Sequence, residues 1–152
     1  MKILFALILI VAMLATMSVT AFAANTTGGE ADITTSIAPT YTVTIPADVN
    51  VQFNATETAF GTIEVTASQI HPDKCIKVAL TTDNELNNAI DNTKVIPYAI
   101  KDSEGAEFTS ATYLTEGDKT ELSIHITADD WNAAYAGEYS DTVTFTVSYE
   151  DK

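Results

Sequence analysis

One stretch near the end of the chain constrains its fold more than any other. In residues 142–149, Val143, Phe145, Val147 and Tyr149 alternate with Thr142, Thr144, Thr146 and Ser148. Strict period-2 alternation of β-branched and aromatic residues is incompatible with a helical face. It fits a strand with one apolar and one polar side. The same pattern recurs upstream. Ile33, Thr35 and Ile37 alternate with polar neighbours until Pro39. Tyr41, Val43 and Ile45 alternate until Pro46. Val49, Val51 and Phe53 make a third run, and Ile63, Val65 and Ala67 a fourth, opened by Gly61. Ile76, Val78 and Leu80 follow, then Ile96, Tyr98 and Ile100. Pro97 within that run indicates an edge position or a strand start. Thr112–Leu114 and Leu122–Ile126 flank Glu116-Gly117-Asp118, which reads as a hairpin turn. The segment from Thr81 to Lys94 is polar and Asn-rich. It reads as a long loop with a helical turn around Leu86 and Ile90.

One helix is expected. Thr127 is a suitable N-cap with Asp130 three residues on, Ala128–Ala136 tolerate helix, and Gly137 closes it. Trp131 and Tyr135 would then share a face. Eight or nine short strands with almost no helix predict an all-β, immunoglobulin-like antiparallel β-sandwich of about 7–9 strands. A closed barrel is the alternative. The last strand is expected to be central or near-central, with Val143, Phe145 and Val147 buried.

Residues 1–23 are of another kind. Lys2 precedes an apolar run from Ile3 to Leu14, and Ala21-Phe22-Ala23 supplies the small-x-small pattern of a signal-peptidase site. This is the pattern of a secretory signal peptide, and the apolar run is shorter than the roughly 18–20 residues of a membrane span. The expected organisation is a signal peptide at 1–23, a flexible leader at 24–30 and a single β-sandwich domain at 31–152. The mature protein is expected to be secreted, extracellular or at the cell surface, with no membrane insertion after cleavage.

Charge narrows the partners. The chain has 7 lysines, no arginine and 21 acidic residues, a formal net charge of −14. Nucleic-acid binding requires cationic phosphate contacts and is not expected. Cys75 is the only cysteine, so no intramolecular disulfide can form. His71 and Cys75 lie four apart, but Pro72 disfavours the helix that would bring them onto one metal. His125 alternates with Ile124 and Ile126 and should face solvent. No catalytic motif is present, and the expectation is a non-enzymatic protein without a cofactor. Asp83, Asn84, Glu85, Asn87, Asn88, Asp91 and Asn92 form an oxygen-rich loop that could hold Ca²⁺, with a solvated loop as the simpler reading.

The run Ala136-Gly137-Glu138-Tyr139-Ser140-Asp141-Thr142-Val143 through Tyr149 resembles the closing strand of pilin-like, spore-coat-U-type secreted bacterial β-sandwich domains. Those end in Ala-Gly-x-Tyr-x-Asp-x-Val followed by alternating Thr and Val. The resemblance implies a sandwich one strand short, completed by the N-terminal extension of a neighbouring subunit. Here Ile33, Thr35 and Ile37 would form that donor strand, although the same segment would also serve as an ordinary first strand. Paired cysteines are frequent in that family, and this chain has one. Tyr139 is a candidate tyrosine corner, its hydroxyl bonded to a backbone group.

Two functions follow as expectations. The first is a surface structural or adhesive module, a pilin-like fibre subunit with other protein subunits as partners. The second is a module for cell-surface glycans that uses Trp131 and Tyr135 as an aromatic sugar platform. Secretion is directly checkable: N-terminal sequencing of the exported protein should begin at Ala24, and an intact Met1 would refute cleavage.

Overall fold

The computed structural model describes residues 30–152; the expected signal peptide and most of the expected leader lie outside them. Ten strands and one short helix form three antiparallel sheets with no barrel. The first sheet has the order β1 (Thr40–Thr44), β2 (Glu57–Gln69), β8 (Lys119–His125), β6 (Ala99–Asp102). The second has the order β10 (Thr144–Asp151), β3 (Lys74–Thr81), β7 (Ser110–Tyr113). A small third sheet joins β5 (Val95–Pro97), β4 (Glu85–Asn88) and β9 (Tyr139–Ser140). The strand count exceeds the expected 7–9 because this third sheet is assembled from pieces of two to four residues.

The core lies between the first two sheets. Ile63, Val65, Leu122, Ile124 and Ile100 come from one side, Ile76, Val78 and Tyr113 from the other. Ile63, Val65, Ile76 and Val78 are fully enclosed. Each such side chain contributes about 1.5–3 kcal/mol of transfer free energy.

The long strand β2 departs from simple alternation twice. Ala59 pairs with Ser123 and Gly61 with Leu122, so Phe60 is an extra residue. Thr42 pairs with Ala67 and Val43 with Val65, so Thr66 is another. Each β-bulge reverses which parity faces inward. Thr58 and Phe60 turn toward the core, then Ile63 and Val65, then Ser68 and Ile70. Ala67, expected beside Ile63 and Val65, is therefore exposed. Gly61 has φ +140°, and a Cβ there would sit 3.1 Å from Pro46, so glycine lets the chain leaving β1 cross closely over β2.

Several expected strands differ in the structure. Residues 49–53 form no strand; they cross the end of the sandwich as an irregular segment. The Ile96–Tyr98–Ile100 run divides between β5 and β6, which belong to different sheets, and Pro97 sits on the edge strand β5. The expected loop at 81–94 contains β4 instead of a helical turn, because β5 and β9 supply main-chain partners on both sides. Thr112–Leu114 and Leu122–Ile126 are not a hairpin. β7 pairs with β3 and β8 with β2, so the connection between them passes from one sheet to the other. Residues 30–39 contain no strand and are exposed, Ile33 almost completely.

The helix α1 spans Ala128–Ala133, with the Thr127 side chain accepting from the Asp130 N–H at its N-terminus. It ends before Tyr135, so Trp131 and Tyr135 do not share a helical face.

The β7–β8 crossover is held at both ends. Gly117 N–H donates to Val65 C=O at 2.8 Å, and Val65 N–H donates to Asp118 C=O at 2.9 Å. The Asp118 carboxylate accepts from the Leu114 and Thr115 N–H groups at 2.7 and 2.9 Å. Those two backbone bonds hold the carboxyl below its ordinary pKa. A carboxyl depressed on folding adds stability that is complete above its unfolded pKa, roughly 4, and is lost as pH falls through its lower folded value. Asp118→Asn should therefore lower stability at neutral pH by about 1 kcal/mol and flatten the acid limb of the stability curve. Urea titrations at neutral and acid pH compare the two proteins directly.

Candidate functional site

The position of β10 sets up the site. In a seven-strand immunoglobulin-like sandwich, strands A-B-E-D face C-F-G. Here β1-β2-β8-β6 takes the A-B-E-D places, β3 takes C, and β10 takes F. The place of G, beside β10, is empty among the described residues. The last strand is thus an edge and not a central strand. Val143, Phe145 and Val147 are accordingly half-buried where a central strand would enclose them.

The hydrogen-bonding direction of β10 follows from two contacts. Lys152 N–H donates to Asp73 C=O, and Leu80 N–H points the other way, to Thr109 C=O beside β7. With the register Thr144↔Thr81 through Asp151↔Lys74, the even-numbered residues of β10 bond to β3. The N–H and C=O groups of Phe145, Val147 and Tyr149 therefore point outward along the free edge. Their side chains point inward: Phe145 packs on Phe60 at 5.9 Å and Tyr149 stacks on Tyr41 at 5.8 Å. Lys74–Asp151 and Lys77–Glu150 ion pairs lie across β3 and β10. They are exposed and contribute little.

The other edges are short or covered. β6 has four residues, and its outer side bonds to residues 106–108 through Phe108 N–H to Ile100 C=O and Asp102 N–H to Ala106 C=O. β1 has five residues and lies opposite a bulge in β2, β5 carries Pro97, and β7 and β9 have four and two residues. β10 has eight residues, and from Thr144 to Tyr149 it has no proline, no bulge and no charge. These are the features that normally blunt an edge.

At the start of β10 the two sheets separate and a cleft of about 1030 Å³ opens. Residues 45–51 and Phe53 form one wall and residues 137–145 the other, with the buried core residues Ile96, Ile100 and Ile124 at its floor. Its ionisable side chains are Asp48, Glu138, Tyr98, Tyr139 and Asp141, with no lysine. The Asp141 carboxylate accepts from the hydroxyls of Tyr98 (2.5 Å) and Thr82 (3.1 Å). Burial, and then the bond to Asp141, raise the Tyr98 phenol above its usual pKa, so it stays a donor. This cluster ties the β9–β10 connection to the body of the domain.

Gly137 and Asn88 fix the same wall from behind. Asn88 is buried, and its Oδ1 accepts from the Ile90 and Asp91 N–H groups. Gly137 has φ +153°, and a Cβ there would collide with Asn88 Nδ2. The Tyr139 hydroxyl donates to the Tyr135 carbonyl at 3.0 Å, bridging the turn between them.

The other sequence candidates are dispersed. Trp131 is in the core; its indole N–H donates to Ala55 C=O at 2.8 Å and its ring meets Phe53 edge-on. Tyr135 is exposed beneath the Lys94 ammonium, 4.8 Å from its ring centroid. The two rings offer no shared platform, because Trp131 is drawn into the core by its apolar area and its single hydrogen bond. Ile33, Thr35 and Ile37 remain solvent-exposed and outside any sheet. Asp83, Asp91 and Asn88 use their side-chain oxygens on nearby N–H groups of Glu85, Thr93, Ile90 and Asp91, and no metal-ligating cluster occurs among the described residues. Cys75 is a buried thiol near the Asp151 carbonyl. His125 contacts Ser123 at 2.9 Å on the outer face of the first sheet. The cleft wall at 45–53 was missed by sequence reasoning. Its alternation, Val49-Val51-Phe53, signalled a strand, whereas the segment spans the open end unpaired.

Compared with known proteins, the chain matches no family model, no curated protein and no solved structure.

Gly137→Ala should force Asn88 and its two backbone bonds to move. The expected cost is about 1–3 kcal/mol, as for other overpacked sites. A melting curve unchanged by the substitution would contradict this close packing.

Proposed function

We propose that the mature protein is an exported structural or adhesive surface module that assembles by accepting an extended strand along β10. The donor is the segment Ala31–Ile37 of another copy. The single observation that carries this reading is the one-sided hydrogen bonding of β10. Its outward N–H and C=O groups at Phe145, Val147 and Tyr149 repeat every second residue, above half-buried apolar side chains. An added strand satisfies that ladder with main-chain bonds, and alternate side chains fill the space beneath it.

The donor suits the acceptor. Ile33, Thr35 and Ile37 share one face of an extended chain, and none is charged. They would meet Val143, Phe145 and the acid-lined cleft without placing a carboxylate inside it. Asp32 and Thr34 fall on the opposite, solvent-facing side. Export rests on residues 1–23, and a structural role agrees with the dispersal of the histidines, Cys75 and the loop carboxylates.

The test uses the mature chain, residues 24–152. Native mass measurement should show multiples of the subunit mass. Deleting residues 24–38 should abolish them and leave a less stable monomer. A synthetic Ala31–Ile37 peptide should restore stability and slow hydrogen exchange at Phe145, Val147 and Tyr149. A mature chain that stays monomeric at high concentration, with 31–37 protected inside its own sheet, would overturn the proposal.

A further inference from the structure

We infer that Tyr41 and Tyr149 are an oxidative cross-linking site, at which a haem peroxidase with hydrogen peroxide joins the two rings across the seam between β1 and β10. The ring centroids are 5.8 Å apart and the planes differ by 28°. At that separation a small rotation of either ring can bring together the carbons beside the hydroxyls, which carry unpaired spin in a tyrosyl radical. Both residues are part-exposed, so each ring can give an electron to an external oxidant while its neighbour holds it in place. The Tyr149 oxygen accepts a hydrogen bond from His71 N–H at 2.8 Å. That bond uses a lone pair and leaves the phenolic proton free to depart.

The step balances. Each phenol loses one electron to the oxidant and one proton to solvent. The two radicals couple through their ortho carbons. The hydrogens on those carbons then move to the oxygens as the rings regain aromaticity. The protein loses two hydrogen atoms, and one hydrogen peroxide becomes two waters.

The pair is singular among the described residues, since no other two tyrosine rings stack. Tyr98 and Tyr113 are buried and hydrogen-bonded to Asp141 and Thr120. Tyr135 is exposed and has no tyrosine ring stacked on it. With Cys75 as its only cysteine, the chain has no internal disulfide to draw on. A Tyr41–Tyr149 bond would close nearly the whole domain into one covalent loop, the arrangement that most restricts an unfolded chain. It would also tie together the two edge strands that face each other across the sandwich.

The test treats the mature chain, in dilute solution, with a haem peroxidase and hydrogen peroxide. The expected product is a monomer lighter by two hydrogens, with dityrosine fluorescence, a raised melting temperature and a proteolytic fragment joining the Tyr41 and Tyr149 peptides. Tyr41→Phe keeps the stacked ring but should abolish that monomeric product and the gain in melting temperature. Coupling between molecules through Tyr135 should persist in the variant and shows that the oxidant is active. Products that are only intermolecular, a monomeric bridge mapping to another pair, or an unchanged product in Tyr41→Phe would each overturn the inference.

Discussion

Main-chain hydrogen bonding along β10 is satisfied on one side only, and the rest of the molecule is arranged around that asymmetry. On the β3 side, eight consecutive residues are in register. On the other side, three residues present their N–H and C=O groups with no partner in the described chain. In water such groups are solvated and cost little. In contact with another chain they become a template, because every bond made has a fixed spacing and direction. The inward side chains explain why the edge holds its shape without a partner. Phe145 rests on Phe60, and Tyr149 on Tyr41, so the strand is anchored to the opposite sheet at two points.

Those anchors also decide where the sandwich opens. At the Tyr41–Tyr149 end the sheets are held together by stacked rings. At the Val143 end they part, because the chain leaving β1 at Pro46 crosses β2 at Gly61 and continues as an irregular wall through residues 47–53. The opposite wall is held by the Asp141–Tyr98–Thr82 bonds and by Gly137 packed on Asn88. Both walls are fixed by specific contacts, and the cleft between them reaches down to the core residues Ile96, Ile100 and Ile124.

The strands were legible in the sequence where local pattern and tertiary role agree. The β3, β8 and β10 alternations predict the faces seen, and the Thr127–Asp130 capping pair marks the helix start. The pattern misleads where a distant partner decides. Ala67 continues the Ile63–Val65 phase in sequence, but the Thr66 bulge that turns it outward is set by pairing with β1. Ile96, Tyr98 and Ile100 read as one strand, yet the two halves are claimed by different sheets. Val49-Val51-Phe53 alternates as well as any strand and finds no ladder. For the candidate site, the exposure of Ile33 and Ile37 and the free edge of β10 depend on which strands neighbour one another, and no local signal reports that. Trp131 and Tyr135 were paired by an assumed helix that ends at Ala133, two residues too soon.

The charge of the chain bears on how such an edge can be tolerated. With 21 acidic residues against 7 lysines, two copies repel one another at distances up to about the Debye length, roughly 8–10 Å in physiological salt. That repulsion is indifferent to orientation and opposes random edge-to-edge pairing. The backbone ladder acts only at contact, and the stretch Thr144–Tyr149 carries no charge at all. The uncharged run Ile33–Ile37 can therefore approach the edge where a second acidic domain cannot come broadside. Acidity on the body and neutrality of Thr144–Tyr149 and of Ile33–Ile37 together favour one mode of contact over the many that a bare edge strand would otherwise allow.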